Sequence, residues 1–169
     1  MSISVVIPCY NHAHFLSDAV FSVMNQELPV DEIIIVDDGS IDDTRKVALQ
    51  LTQPGFIYYI RQENQGPSRA RNKGLSKASG NFIGFLDADD KWHPSFSKVL
   101  SACINLDSKS IVAGCQQRII NENDLILRPS IPLPGTISLQ SLLEHNAFPV
   151  SASLYNTKIL RELGGSTKI

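Results

Sequence analysis

Asp87, Asp89 and Asp90 fall within four consecutive positions, directly after the apolar run Phe82-Ile83-Gly84-Phe85-Leu86. Carboxylates this close repel one another unless a cation lies between them. Oxygen donors of this kind suit Mg2+ or Mn2+, which keep coordination positions open for phosphate oxygens. A metal that straddles two phosphates neutralises the charge growing on a departing diphosphate. The cluster therefore points to a divalent cation holding a phosphorylated ligand; the plainer alternative is a solvated acidic turn.

Other chemistry-bearing residues also follow short apolar runs. Ile7-Pro8-Cys9-Tyr10-Asn11 places an aromatic ring where it can stack on a nucleobase, and Asn11 where it can cap a helix. Val36-Asp37-Asp38-Gly39-Ser40 supplies two acids that can accept from a base N–H or a ribose hydroxyl, or simply cap a turn. Arg69, Lys73 and Lys77 are four apart, with Arg71 among them. Cations in the first turns of a helix run against its dipole, which suggests a nearby anion; a solvated basic face is the alternative. The four histidines are scattered, and there is no glycine-rich dinucleotide fingerprint and no Gly-Lys-Ser/Thr phosphate loop.

The elements that must position these residues alternate in type. Strands are expected at Ser4–Ile7, Ile33–Val36, Phe56–Ile60 and Phe82–Leu86, all apolar with little alternation, as in a parallel sheet covered on both faces. Helices are expected around Phe15–Met24, after Asp42 or Asp43 (capping a stripe of Val47, Ala48 and Leu51), and from Gly66-Pro67 to Gly80. In the last of these, Ala70, Gly74 and Ala78 would pack closely on the sheet. Further on, Pro94–Leu106 reads as a helix with Phe96, Val99, Leu100, Cys103 and Ile104 inward. Ile111–Ala113 and Leu125–Leu127 read as strands, 128–135 as a proline-rich loop, and 139–143 and 158–163 as short helices. Ligands of such open sheets bind beyond the carboxyl ends of the strands, which is where the informative residues lie.

Composition removes several classes. A chain of 169 residues, 43% hydrophobic and 19% charged, fits one folded domain. A net charge of -2 offers no basic field for nucleic acid. No apolar run reaches membrane-spanning length, and Ile3–Ile7 is too short for a secretory signal. Cys9, Cys103 and Cys115 read as reduced core residues of a cytoplasmic protein.

Taken in order, these stretches resemble the family 2 glycosyltransferases of GT-A fold. The similarity runs through Val5–Asn11, Ile35–Ser40 with Asp42-Asp43-Thr44, Asn64–Gly74 and Gly80–Asp90, with a fainter echo at Phe148–Leu154 and Leu163-Gly164-Gly165. It implies an α/β fold with a Rossmann-like, mostly parallel sheet and helices on both faces. One domain over 1–169 is expected, with a donor-binding half at 1–106 and an incomplete acceptor-side half at 107–169. The implied nucleotide-sugar site draws on Pro8, Tyr10, Asp37, Asp38, Arg69, Arg71, Asp87, Ala88 and Asp89. Tyr10 would stack on the base; Asp38, with Asp37 beside it, would bond the base edge or ribose; Arg69 or Arg71 would lie near base and diphosphate. Asp87-Ala88-Asp89 would be the DxD motif, with Asp87 on the ribose or donor sugar and Asp89 or Asp90 reaching Mn2+ or Mg2+.

The resemblance further implies transfer of a sugar, with inversion, from a nucleoside-diphosphate sugar such as a UDP-sugar to a hydroxyl of a glycan or lipid-linked acceptor. Bacterial polysaccharide or surface-glycan synthesis at the inner face of the membrane is the expected setting. The family's general base lies past a Gly-Gly-Phe segment, whereas here Gly164-Gly165 is followed by Ser166 and little else. Glu122, Asp124, Glu144 and Glu162 match no motif, so the base is unassigned. That motivates a second reading, a non-catalytic nucleotide-binding module. A phospho-acceptor receiver domain, which draws its acids from different strands and adds a late lysine, fits worse.

Overall fold

The computed structural model describes residues 1–106, 110–121, 123–128 and 149–165. The proline-rich stretch, the helix expected at 139–143, Glu122, Glu144 and His145 lie outside them.

Seven-residue β1 (Ile3–Cys9) and β2 (Glu32–Asp37) are buried along their whole length. β3 (Ile57–Arg61) and β4 (Phe82–Phe85) complete a parallel set. The sheet order is β3-β2-β1-β4, continued by β8 (Ser153–Asn156) and β5 (Val112–Gly114). β8 runs antiparallel to both β4 and β5. A small separate hairpin joins β6 (Ile119–Ile120) to β7 (Ile126–Arg128).

Successive side chains of a strand face opposite ways, so the two faces build two cores. Val5, Ile7, Ile33 and Ile35 pack under α1 (Ala13–Met24), α2 (Thr44–Leu51) and α4 (Phe96–Asn105). Val6, Ile34 and Val36 pack under α3 (Pro67–Lys77) and α5 (Thr157–Glu162). Ala70 and Gly74 of α3 lie against the sheet as expected, and a Cβ at Gly74 would collide with Val6.

Three expectations need correction. β3 is an edge strand, with Tyr58 43% exposed, so it is not covered on both faces. In α4, Phe96, Leu100 and Ile104 turn inward while Val99 and Cys103 face solvent, because a stripe at four-residue spacing is enough to meet the sheet. β8 was not expected at all.

β1 continues into β2 on one side of the sheet, and β4 lies on the other side of β1. Their carboxyl ends therefore flank a topological switch point, the place where open α/β sheets bind ligands.

Candidate functional site

The β1–α1 loop is held by the loop after β2. Asn11 takes a left-handed conformation (φ +57°) and does not cap α1. Its side-chain oxygen accepts from Ile41 N at 2.9 Å, and its own N–H donates to Ser40 Oγ at 3.0 Å. His12 N donates to Thr44 Oγ1 at 3.1 Å and Ala13 N to Asp42 Oδ2 at 3.2 Å. Asp42 also accepts from Thr44 N at 2.9 Å, so it serves the starts of both helices. Pro8 is buried in β1 opposite Val36. Tyr10, two residues on, is 44% exposed just past the carboxyl end of β1.

The acids after β2 are turned inward. Asp37 is fully buried; its Oδ1 accepts from Ser40 N at 2.8 Å, and its Oδ2 from Tyr59 Oη at 2.7 Å and Arg61 Nη1 at 3.1 Å. Burial, with this hydrogen bond second, pushes the Tyr59 phenol up to about 12. Asp38 is buried too. Its Oδ1 accepts from Gln62 Nε2 at 2.7 Å and Gln65 N at 2.9 Å, and its Oδ2 from Gly66 N at 2.8 Å. Gly66 (φ +89°) precedes Pro67, so Asp38 fixes where α3 begins. A carboxylate has about four acceptor positions, and Asp38 has three of them filled.

The two arginines of α3 part company. Arg69 is exposed and lines a surface cavity of about 530 Å³ with Gln62, Gln65, Asn72, Lys73 and Ser76. Arg71 turns to the acidic loop, its Nη2 lying 2.6 Å from Asp87 Oδ1, while its buried Nε has no partner among the described residues.

The acidic loop is folded back on itself. Asp90 N donates to Asp87 O at 2.9 Å, and Asp87 N donates to Ser151 Oγ at 3.1 Å. Ala88 is buried, Asp89 is exposed and Asp90 is half-buried. Burial raises the Asp90 carboxyl above its ordinary range; Ser151 opposes this, and the charges of Asp89 and Asp87 add to it. Among the described residues, Asp87 alone of the three acids has a cationic partner, Arg71.

Beneath the loop, Trp92 packs as a wall, stacked on Phe96 with ring centroids 3.9 Å apart. Its Nε1 donates to Ser151 O at 2.7 Å. Gly84 of β4 makes this seat, since a Cβ there would overlap the indole. A cleft of about 800 Å³ opens beside Asp89 and Asp90, walled by Trp92, Phe96, Val99 and Ile120.

Among the described residues no three His, Cys, Asp or Glu side chains are gathered closely enough to hold a metal by themselves. Mg2+-type sites commonly use one or two carboxylates and complete their shell with substrate phosphates and water. Asp89 and Asp90, which repel each other and have no cationic side chain paired with them among the described residues, fit that pattern.

Of the expected residues, the structure brings together Arg71, Asp87, Asp89 and Asp90, with Tyr10 at the end of the neighbouring strand. Asp37 and Asp38 are committed to backbone and neighbouring side chains, and Arg69 lines a separate cavity. Glu162 lies on α5, on the α3 side of the sheet, and Asp124 pairs with Lys91 at 2.8 Å. Sequence reasoning missed Ser151. A serine in Pro149–Leu154 carries no signal of its own, because its partners stand 64 and 59 positions away.

A mostly parallel α/β sheet with acids gathered at its switch point defines a GT-A type of protein. The chain matches the Glycosyl transferase family 2 over residues 4–164, and it belongs to that family. TuaG of Bacillus subtilis, named for teichuronic acid biosynthesis, is 43% identical over 93 residues, covering 53% of this chain and 36% of TuaG. The fold is also that of Staphylococcus aureus TarS 1-349, solved with UDP-GlcNAc: TM-score 0.77, 24% identity, 97% of this chain and 48% of that one. The mannosyltransferase PcManGT of Pyrobaculum calidifontis, solved with GDP-Man and Mn2+, gives a TM-score of 0.71 at 20% identity over 98% of this chain and 47% of that one. The match covers between 13% and 41% of the length of these and other curated relatives. No helix among the described residues is long and apolar enough to cross a membrane.

Proposed function

We propose that this chain carries the donor site of a metal-dependent glycosyltransferase that moves a sugar from a nucleoside-diphosphate sugar to an acceptor hydroxyl. The observation that carries the reading is the acidic loop after β4: Asp89 exposed, Asp90 half-buried and pressed by like charges, both lining an 800 Å³ cleft. Tyr10 offers its exposed ring to the base. Arg71 holds Asp87, whose free oxygen can accept from a ribose or sugar hydroxyl. Asp38 acts chiefly through the loop it fixes, and Arg69 contributes positive field at the margin. Asp89 and Asp90 would hold Mn2+ or Mg2+, which supplies Lewis-acid neutralisation of the leaving diphosphate.

Structures of this fold solved with UDP-GlcNAc and with GDP-Man and Mn2+ support the donor class and the metal. A UDP-sugar donor, inversion at the anomeric carbon and a role in bacterial surface-glycan synthesis at the inner membrane face extend the same reading, the last by analogy with TuaG. The acceptor would enter by the cleft. Calorimetric titration with UDP and GDP, with and without Mn2+, tests the proposal: binding that strengthens with metal supports it, and no binding of either nucleotide removes it. Sugar transfer measured against donor hydrolysis separates a transferase from a module that only binds.

A further inference from the structure

β3 closes one end of the sheet. Ile57 turns its backbone groups outward: its N–H donates to Gln53 O at 2.8 Å, and its C=O accepts from Gln53 N at 3.1 Å. Alternate residues of a strand direct these groups the same way, so Tyr59 and Arg61 also present theirs outward. No strand among the described residues lies beside them. Gln62 N, in the opposite phase, donates inward to Asp37 O at 2.9 Å. A free edge of this kind is a template for a further extended segment.

α3 runs along the same border. Arg69, Lys73 and Lys77 stand four apart on it, all exposed, and none has an ion pair among the described residues. Arg69 and Lys73 share the 530 Å³ cavity with Gln62, just past the end of β3, and Lys77 shares a second, of about 680 Å³, with Tyr58 and Ile60. The basic row therefore follows β3 from its carboxyl end back toward its start. Glu32, the one acid lining the second cavity, is buried and already accepts from Ser4 Oγ and Ser79 N. Neither cavity shares a lining residue with the cleft beside Asp89 and Asp90. Every fourth residue of a helix recurs after about 6 Å, and every second residue of a strand after about 6.7 Å. Acids at alternate positions of an extended peptide would thus keep step with the three cations.

We propose that this border binds an acidic, extended peptide segment of a partner protein, which adds to β3 as a further strand and sets alternate carboxylates against Arg69, Lys73 and Lys77. A second copy of the chain does not fit the same place. Antiparallel pairing of two β3 strands brings both basic rows to one face of the joined sheet, where they repel.

The test is an NMR titration of the full, 15N-labelled chain with the peptide acetyl-Thr-Glu-Thr-Glu-Thr-Glu-Thr-amide. Two controls accompany it: the same composition with its acids in one block, and the alternating peptide with its amides N-methylated. The expected result is saturable shifts at the Tyr59 and Arg61 amides, with an affinity about tenfold above that of either control. Equal binding of the block peptide reduces the border to unspecific charge, and equal binding of the N-methylated peptide removes the strand pairing; each overturns the proposal. So does the absence of shifts at Tyr59 and Arg61, or self-association of the chain through those amides without peptide. The double variant Lys73→Glu, Lys77→Glu, with its melting temperature checked against wild type, should bind the alternating peptide about tenfold more weakly. Unchanged affinity in that folded variant would equally refute the pairing of charges.

Discussion

Two acidic segments follow the two strands that flank β1, and they do opposite things. After β2, Asp37 and Asp38 are buried and meet donors on both oxygens: amides of Ser40, Gln65 and Gly66, the Tyr59 hydroxyl, Arg61 and Gln62. After β4, Asp87 is paired with Arg71, Asp90 is half-buried beside like charges, and Asp89 is open to solvent. A buried carboxylate surrounded by donors holds a fold; a crowded one short of donors waits for a cation. Acid spacing alone does not separate the two, but partners do.

The contrast is most severely tested at Asp37. Replacing Asp37 with Ala strands the Ser40 amide and Tyr59 hydroxyl, and urea unfolding should show a loss of about 3 kcal/mol. A loss below about 0.5 kcal/mol, the range of an ordinary surface change, would erase the distinction. Gly84→Ala should cost about 2 kcal/mol through overlap with Trp92. Because Trp92 is the single tryptophan, its fluorescence should report the displaced ring directly, and an unmoved spectrum would refute the packing argument.

A third acid belongs with the satisfied class. Burial pushes Glu32 upward, but hydrogen bonds from the Ser4 hydroxyl and from the Ser79 amide and hydroxyl outweigh it and leave the carboxyl below its ordinary range. Its folded value lies below the unfolded one, so the stability it adds is present above the ordinary carboxylate range and fades as pH falls through the folded value. Glu32→Gln should therefore lose about 1 kcal/mol at neutral pH, with the gap to wild type closing in acid. A gap independent of pH would mean the charge plays no part. At the other extreme, Asp89→Ala should change unliganded stability by less than about 0.5 kcal/mol, since the side chain is exposed. It should nevertheless abolish the Mn2+ dependence of UDP binding; retained dependence would move the metal elsewhere.

The legible parts of the sequence were those with a local signature. β1, β2 and β4 are buried on both faces and read as unbroken apolar runs, and α3 announces itself by Gly66-Pro67 and small residues at helical spacing. The acidic cluster and Tyr10 were visible because each directly follows a strand. What stayed hidden depends on distant partners. Ser153-Leu154-Tyr155-Asn156 becomes a strand because β4 and β5 lie on either side of it. Asn11 reads as a helix cap until the loop at Ser40 and Ile41 competes for it. Arg69 and Arg71 look equivalent in the chain, yet a two-residue step on a helix sends them in different directions.

The tie from Ser151 to the acidic loop spans 64 positions, and the tie to Trp92 spans 59. Contacts between distant parts of a chain close late, and synthesis delivers them later still. β1 to β4 can therefore assemble on the ribosome with the acidic loop still unfastened, and the corner proposed to hold the donor is secured only after residue 151 has emerged.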